Sequence, residues 1–330
     1  MHVLLVHKAR LPVFTAGGTE RMVWSLGKAL TRLGHKVTFL LKCGSKCDFA
    51  EVLPLDRNKS LKEQIPRGVD IVHVQTLPDF DADNDFDMPY IMTEHGNATT
   101  APTHRYLNTC FITRDQAARH NSDQFVHNGL DWDDYGPIDL KRPRTYYHFL
   151  GKASGPDKNV RGAIDVARAA NVRLEVLGGH RLNFKRGFRF TPWPSIGFNG
   201  QVGGAKKFAL MNGSRGLIHP VRFPEPFGLA ITESLYFGCP VFGTPYGSLK
   251  ELVGGEFGFL SASASELARA VAENAFEPRR CHEYARDTYN AMNMARGYVE
   301  KYEIILNGGK LNASPPWLTD KSVDLLPWNA

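Results

Sequence analysis

The chain has 330 residues, of which 42% are hydrophobic and 22% charged, and its formal net charge is +6. This composition is typical of an ordinary globular protein with room for two domains. No apolar run reaches the length of a membrane span, and no arginine-rich tract, zinc finger or RNP-like aromatic motif indicates nucleic acid binding. The positive charge serves solubility, or it indicates an anionic ligand or an acidic membrane surface.

The five cysteines are scattered and odd in number, which argues against a disulfide framework and favours a reducing cytoplasm. Cys43 and Cys47 flank a short loop, but no second Cys or His pair follows at zinc-finger spacing. We therefore expect unpaired thiols and no metal site. The expected location is the cytoplasm, where the basic balance permits peripheral attachment to the inner face of the membrane.

The first half of the chain predicts a parallel sheet with covering helices. Residues 3–6 form a short buried strand, followed by a glycine pair, an amphipathic helix that ends at Gly34, and a second strand over 37–41. This βαβ unit implies a parallel sheet. Residues 43–68 are polar and hard to place. Further short apolar strands, typical of a sheet covered on both faces, are predicted at 70–74, 90–93 and 110–113.

The composition changes over residues 127–145. These residues are polar, rich in turn formers and without hydrophobic periodicity, as expected of an interdomain linker. The alternation of strands and helices then restarts. Strands are predicted at 146–150, 173–177 and 216–218, and helices at 159–170, 205–211, 265–274 and within 280–306. The chain is therefore α/β, with two halves of similar size and an expected ligand cleft between them.

Three features follow predicted strands, at the sheet edge where ligands bind. Gly17 and Gly18 let a phosphate or sugar approach a helix N-terminus, although a tight structural turn explains them about as well. The G-x-G-x-x-G spacing of a dinucleotide site is absent. Lys152 and Lys158 share one loop and either neutralise a diphosphate leaving group or are simply solvated. His95 either contacts a sugar or is merely packed.

The most informative stretch is 219–252. Glu225 and Glu233 are separated by seven residues, and Pro226 and Gly228 mark a loop that turns into a helix. If Glu225 precedes the helix and Glu233 lies in its second turn, eight steps of 1.5 Å put the acids at most about 12 Å apart. The free backbone N–H groups of Phe227, Gly228 and Leu229 would then lie between the two acids. This arrangement suits a sugar nucleotide.

This stretch, EPFGLAITE, resembles the E-x7-E signature of the retaining, nucleotide-sugar-dependent glycosyltransferases of family four, the group 1 type. The following FGCPVFGTPYGSLKEL is similar to the family as well. Similar segments cover most of the chain: AGGTER, VHNGLDWDDY, GKASGPDKN, LEVLGG and IGFNGQV. There are departures, since Lys152 stands where arginine is commoner, the first domain is short, and the tail after Gly308 matches no known pattern.

The resemblance implies the GT-B fold, in which two Rossmann-like domains face each other across a cleft. It divides the chain into an acceptor-side domain (1–140), a donor-side domain (141–308) and a tail (309–330) that packs back on the first domain. No metal or cofactor is implied, because lysines and a helix N-terminus neutralise the negative charge of the diphosphate.

Residue roles follow from the same resemblance. Glu233 would hold the ribose hydroxyls, and Glu225 the hydroxyls of the donor sugar, without acting as a covalent nucleophile. Lys152 and Lys158 would bind the diphosphate, and His95 would lie near the sugar. The remaining donor contacts would be Gly17 and Gly18 at the diphosphate, Phe227, Gly228 and Leu229 at the sugar and phosphates, and Val202 beside the base.

The function implied is transfer of a sugar, with retention of its anomeric configuration, from a nucleoside-diphosphate sugar to a glycan, lipid-linked or small-molecule acceptor. UDP is the expected nucleotide. Two alternatives stay open: a GT-B-fold epimerase acting on the nucleotide sugar, and a non-catalytic nucleotide-sugar-binding protein. An epimerase should show a different set of carboxylates and histidines. The presence of Lys158 with both glutamates argues against an idle binding protein.

Overall fold

The structure is a computed structural model in which the chain forms two compact units. It describes residues 1–13, 17–75, 87–97, 106–184, 188–319 and 324–330. Unit 1 contains the described residues of Met1–Val13, Gly17–Trp132 and Tyr289–Lys321. Unit 2 contains the described residues of Asp133–Thr288 and Ser322–Ala330.

Helices and strands alternate along both units. The strands are β1 (His2–His7), β2 (Lys36–Leu41), β3 (Glu51–Pro54), β4 (Ile71–Val74), β5 (Tyr90–Glu94), β6 (Thr109–Phe111), β7 (Tyr146–Leu150), β8 (Leu174–Leu177), β9 (Leu182–Asn183), β10 (Arg189–Phe190), β11 (Ile196–Phe198), β12 (Ser214–His219), β13 (Val241–Gly243) and β14 (Gly258–Leu260). The helices are α1 (Gly18–Arg32), α2 (Arg114–Arg119), α3 (Val160–Ala169), α4 (Gly204–Asn212), α5 (Leu229–Tyr236), α6 (Leu249–Leu252), α7 (Ala264–Ala272), α8 (Pro278–Thr288) and α9 (Ala291–Leu306).

Unit 1 is built on a parallel six-stranded sheet in the order β3-β2-β1-β4-β5-β6. β1 is buried along its whole length, as its continuously apolar sequence predicts. Helix α1 ends as predicted, because Gly34 has a φ of 86° and the N–H of His35 reaches back to the carbonyl of Leu30. β3 was not predicted. It is an edge strand paired only with β2 and partly exposed, so its residues need not be apolar.

Unit 2 repeats the same doubly wound order, as β11-β8-β7-β12-β13-β14, and every pairing in this sheet is parallel. β7 and β12 are neighbours in the sheet although about 70 residues apart in the chain, so the strand order reverses between them. The loops that follow these two strands therefore lie next to each other at the carboxyl edge of the sheet. Helices α3 and α7 cover one face through a core that includes Phe149, Val176, Ile218 and Leu267.

Unit 2 also contains a small antiparallel hairpin, β9 paired with β10. Each of its strands has only two residues, which is too short for a periodic pattern, and the sequence did not predict it. Among the described residues, no helix is long and apolar enough to cross a membrane.

The end of the chain is shared between the units. α9, which was expected in the second domain, packs on α1 in unit 1. The Asn312 side chain donates to the carbonyls of Leu107 and Thr109 in that unit. The final segment 324–330 belongs to unit 2, where the backbone of Asn329 bonds to Ala262 and Ala264.

Candidate active site

Two loops of unit 2 meet where its strand order reverses. The loop after β7 spans 151–159, and the loop after β12 spans 220–228. The hydrogen bonds that tie them include one from the Arg222 N–H to the Asp157 carbonyl (2.7 Å) and one from Asn159 Nδ2 to the Pro220 carbonyl (2.9 Å). Asn159 also caps α3, because its side chain accepts from the N–H of Gly162. Ligands of doubly wound sheets bind at this position.

These loops bring Lys158 and Glu225 into an ion pair. Lys158 Nζ lies 2.6 Å from Glu225 Oε2, and His219 Nε2 lies 3.4 Å from the same oxygen. Burial acts to raise the pKa of Glu225, but Lys158 and the hydrogen bond from His219 outweigh it and lower the pKa to about 2. Lys158 also lies over the ring of Phe223, 4.4 Å from its centroid. The cluster is thus a buried, ionised carboxylate beside a partly exposed cation.

Two glycines hold the backbone around Glu225. Gly247 has a φ of +62°, and a Cβ on it would lie 2.4 Å from both the backbone N and O of Glu225. Gly228, with a φ of +80°, precedes α5, and a Cβ there would lie 3.0 Å from Glu225 Cγ. Ser248 secures the loop, because its N–H donates to the Glu225 carbonyl (2.9 Å) and its hydroxyl to the Phe227 carbonyl (2.8 Å). Side chains at either glycine would displace the carboxylate.

Glu233 lies in the second turn of α5, as predicted, but its surroundings differ from those of Glu225. Glu233 Oε1 accepts from Lys207 Nζ and from the Tyr135 hydroxyl, each at 2.6 Å. The side chains of Glu233 and Lys207 are only 2% and 9% exposed. Each predicted acid therefore has its own lysine, and Glu233 belongs to a buried network that the sequence did not indicate.

The other donor residues predicted in unit 2 lie near these loops. Lys152 is exposed, and its side chain makes no ion pair or hydrogen bond with the described residues. Val202 is buried two residues before α4. Beside it, Gln201 lines a cavity of about 430 Å³ together with Gly178, Gly179 and Ser154.

In unit 1, His95 belongs to a chain of buried hydrogen bonds. His95 Nε2 contacts Gln75 Oε1 (2.7 Å), and Gln75 Nε2 donates to His73 Nε2 (2.8 Å). His73 Nε2 also lies 2.8 Å from the hydroxyl of Thr93, and His73 Nδ1 lies 2.6 Å from the hydroxyl of Tyr302. Because an amide oxygen only accepts, His95 donates from Nε2. Burial, and to a lesser extent the charge of His7, lower the pKa of His95 to about 3, so the ring is neutral near pH 7.

Gly17 and Gly18 open α1, also in unit 1. Gly17 has a φ of 112°, and a Cβ on it would lie 2.5 Å from Glu20 Oε2. Its carbonyl accepts from the backbone N–H and from Nε of Arg21. Tight packing on the first turn of the helix accounts for the glycine at 17. This packing supports the alternative explanation of the glycine pair, a tight structural turn.

Several residues of these clusters were not singled out from the sequence. His219 and Gly247 stand in the informative stretch 219–252, so that segment itself was the signal. Lys207 and Tyr135 have no local signal, because each reaches Glu233 from a distant part of the chain. Within the described ranges, no three His, Cys, Asp or Glu side chains group together as metal ligands would.

Comparison with known proteins finds similarity to glycosyltransferases in sequence and in structure. Residues 148–274 match the model of the family described as glycosyl transferases group 1. No protein of curated function matches the sequence. AviGT4, a glycosyltransferase involved in avilamycin A biosynthesis, is similar in structure with a TM-score of 0.75 at 19% identity, over 94% of this chain and 99% of that one.

Two further solved structures share the fold. The sucrose-phosphate synthase of Thermosynechococcus elongatus has a TM-score of 0.68 at 16% identity, over 93% of this chain and 100% of the other. HepE of Anabaena, in complex with UDP and glucose, has a TM-score of 0.63 at 16% identity, over 92% and 99% of the two chains.

At these identities the solved structures establish the fold, which is GT-B as predicted. The family match includes both the loop of Lys158 and the whole segment from Glu225 to Glu233. The predicted resemblance is therefore confirmed: residues 148–274 match the group 1 glycosyltransferase family, and the chain has the GT-B fold.

Proposed function

We propose that this chain is a retaining glycosyltransferase that moves a sugar from a UDP-sugar to a glycan, lipid-linked or small-molecule acceptor in the cytoplasm. The observation that carries the proposal is the Lys158–Glu225 pair at the strand-order reversal of unit 2. A fixed cation there stabilises the charge that develops on a diphosphate leaving group. The choice of UDP is supported by HepE of Anabaena, whose structures contain UDP, UDP and glucose, or UDP-glucose.

Glu225 positions the donor sugar in this proposal. With a pKa of about 2 the carboxyl has no proton to give near neutral pH, so it is no general acid. Its pairing with Lys158 and His219 also lowers its reactivity as a nucleophile. An ionised carboxylate accepts hydrogen bonds from sugar hydroxyls, and two glycines hold it in place for that task.

The rest of the donor extends along α5 in this proposal. The first N–H groups of a helix have no partner within it, so those at the start of α5 are directed at the sugar and phosphates, with Gly228 and Leu229 foremost. Glu233 holds the ribose hydroxyls while it also accepts from Lys207 and Tyr135. A carboxylate has about four lone-pair sites, which is enough for both sets of donors. The base occupies the cavity beside Val202.

The reaction needs no other group. The bond between the anomeric carbon and the diphosphate oxygen breaks, and its electron pair goes to the diphosphate, which Lys158 and Lys152 stabilise. The acceptor oxygen bonds to the anomeric carbon on the same face, and its proton passes to a phosphate oxygen of the leaving group. Neither a metal ion nor an organic cofactor takes part. The roles predicted for Gly17, Gly18 and His95 in unit 1 stay predictions.

Donor hydrolysis screened over UDP-, GDP- and ADP-sugars, with EDTA present, tests the proposal. We expect turnover with a UDP-sugar, and the first sugar product detected by NMR should have the anomeric configuration of the donor. Strict metal dependence, or no binding of any nucleotide sugar, would overturn the proposal. A free sugar nucleotide with an inverted stereocentre would identify an epimerase instead.

A further inference from the structure

The β9–β10 hairpin of unit 2 turns its apolar side chains outward. Leu182 pairs with Phe190 across the strands, and these residues are 46% and 54% exposed. Phe184 and Phe188 continue the same face, with ring centroids 5.8 Å apart, and are 73% and 63% exposed. Hairpins on a protein surface ordinarily bury the apolar face and expose the polar one. A contiguous exposed apolar face of this kind marks an interaction site.

The opposite face of the hairpin borders a cavity of about 370 Å³. Asn183 and Arg189 pair across the strands and both line this cavity. Arg161 from α3 and Arg222 from the loop after β12 add two more guanidinium groups. Arg161 Nη2 also donates to the carbonyl of Phe188 at 2.7 Å. This bond connects the lining of the cavity directly to the apolar face of the hairpin.

The cavity has a surplus of positive charge. Arg161, Arg189 and Arg222 form no ion pair with the described residues. Arg189 is only 7% exposed, and its Nε has no hydrogen-bond partner there. Its other nitrogens donate to the His180 carbonyl and the Thr191 hydroxyl, which are neutral. A buried guanidinium without a counter-charge is costly, and phosphate oxygens match its geometry. The arrangement therefore favours a phosphate group in the cavity.

We propose that the hairpin and this arginine cavity dock the protein on an anionic phospholipid surface. The cavity takes a lipid phosphate, while Phe184 and Phe188 enter the interfacial layer, where aromatic rings are favoured. A free phosphate compound would satisfy the arginines but leave four apolar side chains in water. A second copy of the chain would bring its own net charge of +6 against the first, whereas an anionic leaflet attracts it.

Vesicle flotation of the full chain tests this inference. At low salt we expect at least tenfold stronger binding to vesicles of phosphatidylglycerol and phosphatidylcholine than to pure phosphatidylcholine, and weaker binding as salt screens the charges. Phe188→Ser with Phe190→Ser should reduce binding at least tenfold. Arg161→Gln, on the exposed side of α3, should reduce it at least threefold. The matched control is Ile304→Ser with Leu306→Ser, which removes exposed apolar side chains from α9 in unit 1 and should not change binding.

Donor turnover should be the same in all these variants, so a failure of docking is distinguishable from a failure of the proposed reaction. Equal vesicle binding by the hairpin variant and the unaltered chain would overturn the inference. It would also be overturned if glycerol 3-phosphate bound the arginine cavity while vesicles did not. A change from dimer to monomer in the hairpin variant, measured by sedimentation, would identify a second copy as the occupant instead.

Discussion

Glu225 in unit 2 and His95 in unit 1 both follow strands of a doubly wound sheet, yet their surroundings leave one charged and the other neutral. Burial opposes the charged form of each. Lys158 lies 2.6 Å from Glu225 and keeps it ionised, with a pKa of about 2. His95 has the neutral Gln75 as its partner, and its pKa falls to about 3. Burial alone therefore does not decide whether a group is charged, because the partner nearest to it also acts on its pKa.

Removing the cation of the charged cluster should reduce activity more than any other change proposed for this protein. Lys158→Met should lower donor turnover about 10²–10³-fold, the usual loss when one preorganised electrostatic group is removed. Steady-state kinetics over a range of donor concentrations measure it. Lys206→Met, an exposed lysine of α4, is the matched control and should leave turnover unchanged. Near-normal turnover in Lys158→Met would show that the charged cluster is structural only.

Breaking the second ion pair should affect binding rather than turnover. Glu233→Gln should weaken UDP binding about tenfold or more by calorimetry, with little change in turnover at saturating donor. It should also lower the free energy of unfolding by about 3 kcal/mol, because the buried Lys207 loses its carboxylate partner. Tyr135→Phe removes a hydrogen bond to the same oxygen and should cost about 1 kcal/mol. Equal loss of binding in both variants would contradict the ribose role.

A backbone change separates the position of Glu225 from its charge. Gly247→Ala should lower the free energy of unfolding by about 2 kcal/mol, since a left-handed conformation disfavours a side chain and the new Cβ meets the Glu225 backbone. Donor turnover should fall with it. Gly255→Ala is the matched control, because nothing lies within 4 Å of its Cβ position. Chemical denaturation should show no more than about 0.5 kcal/mol change in that control.

The two kinds of group should also differ in acid sensitivity. His95 and His148, each with a pKa lowered to about 3, stay neutral in the fold while the unfolded chain binds protons below about pH 6.5. Each should therefore cost about 1.4 kcal/mol of stability per pH unit below that point, down to about pH 3. Glu225 should begin to lose its contribution only below about pH 4.3, and fully below about pH 2.

Denaturation midpoints measured between pH 7 and pH 4 check this order. His148 is a titrating group that bonds Ser214 and Ser234. His148→Gln should therefore reduce the slope of the free energy of unfolding against pH by the contribution of one proton. A decline that begins only near pH 4 would contradict the neutral state assigned to the histidines.

Local patterns predicted most of the fold because the covered strands are continuously apolar and the helices amphipathic. They failed where those signals are absent by nature. β3 is a partly exposed edge strand, and the β9–β10 hairpin has strands of two residues and an inverted pattern. The same limit applied to the end of the chain, where α9 packs on α1 rather than on its sequence neighbours.

The family resemblance, the loop before α5 and the spacing of Glu225 and Glu233 could be read from the sequence, because they depend on residues close along the chain. Which lysine each acid contacts emerges only from the folded chain. Lys158 is 67 residues from Glu225, and Lys207 is 26 residues from Glu233. Contacts between residues so far apart in the chain depend on which strands become neighbours in the sheet. A local sequence pattern does not predict that strand order.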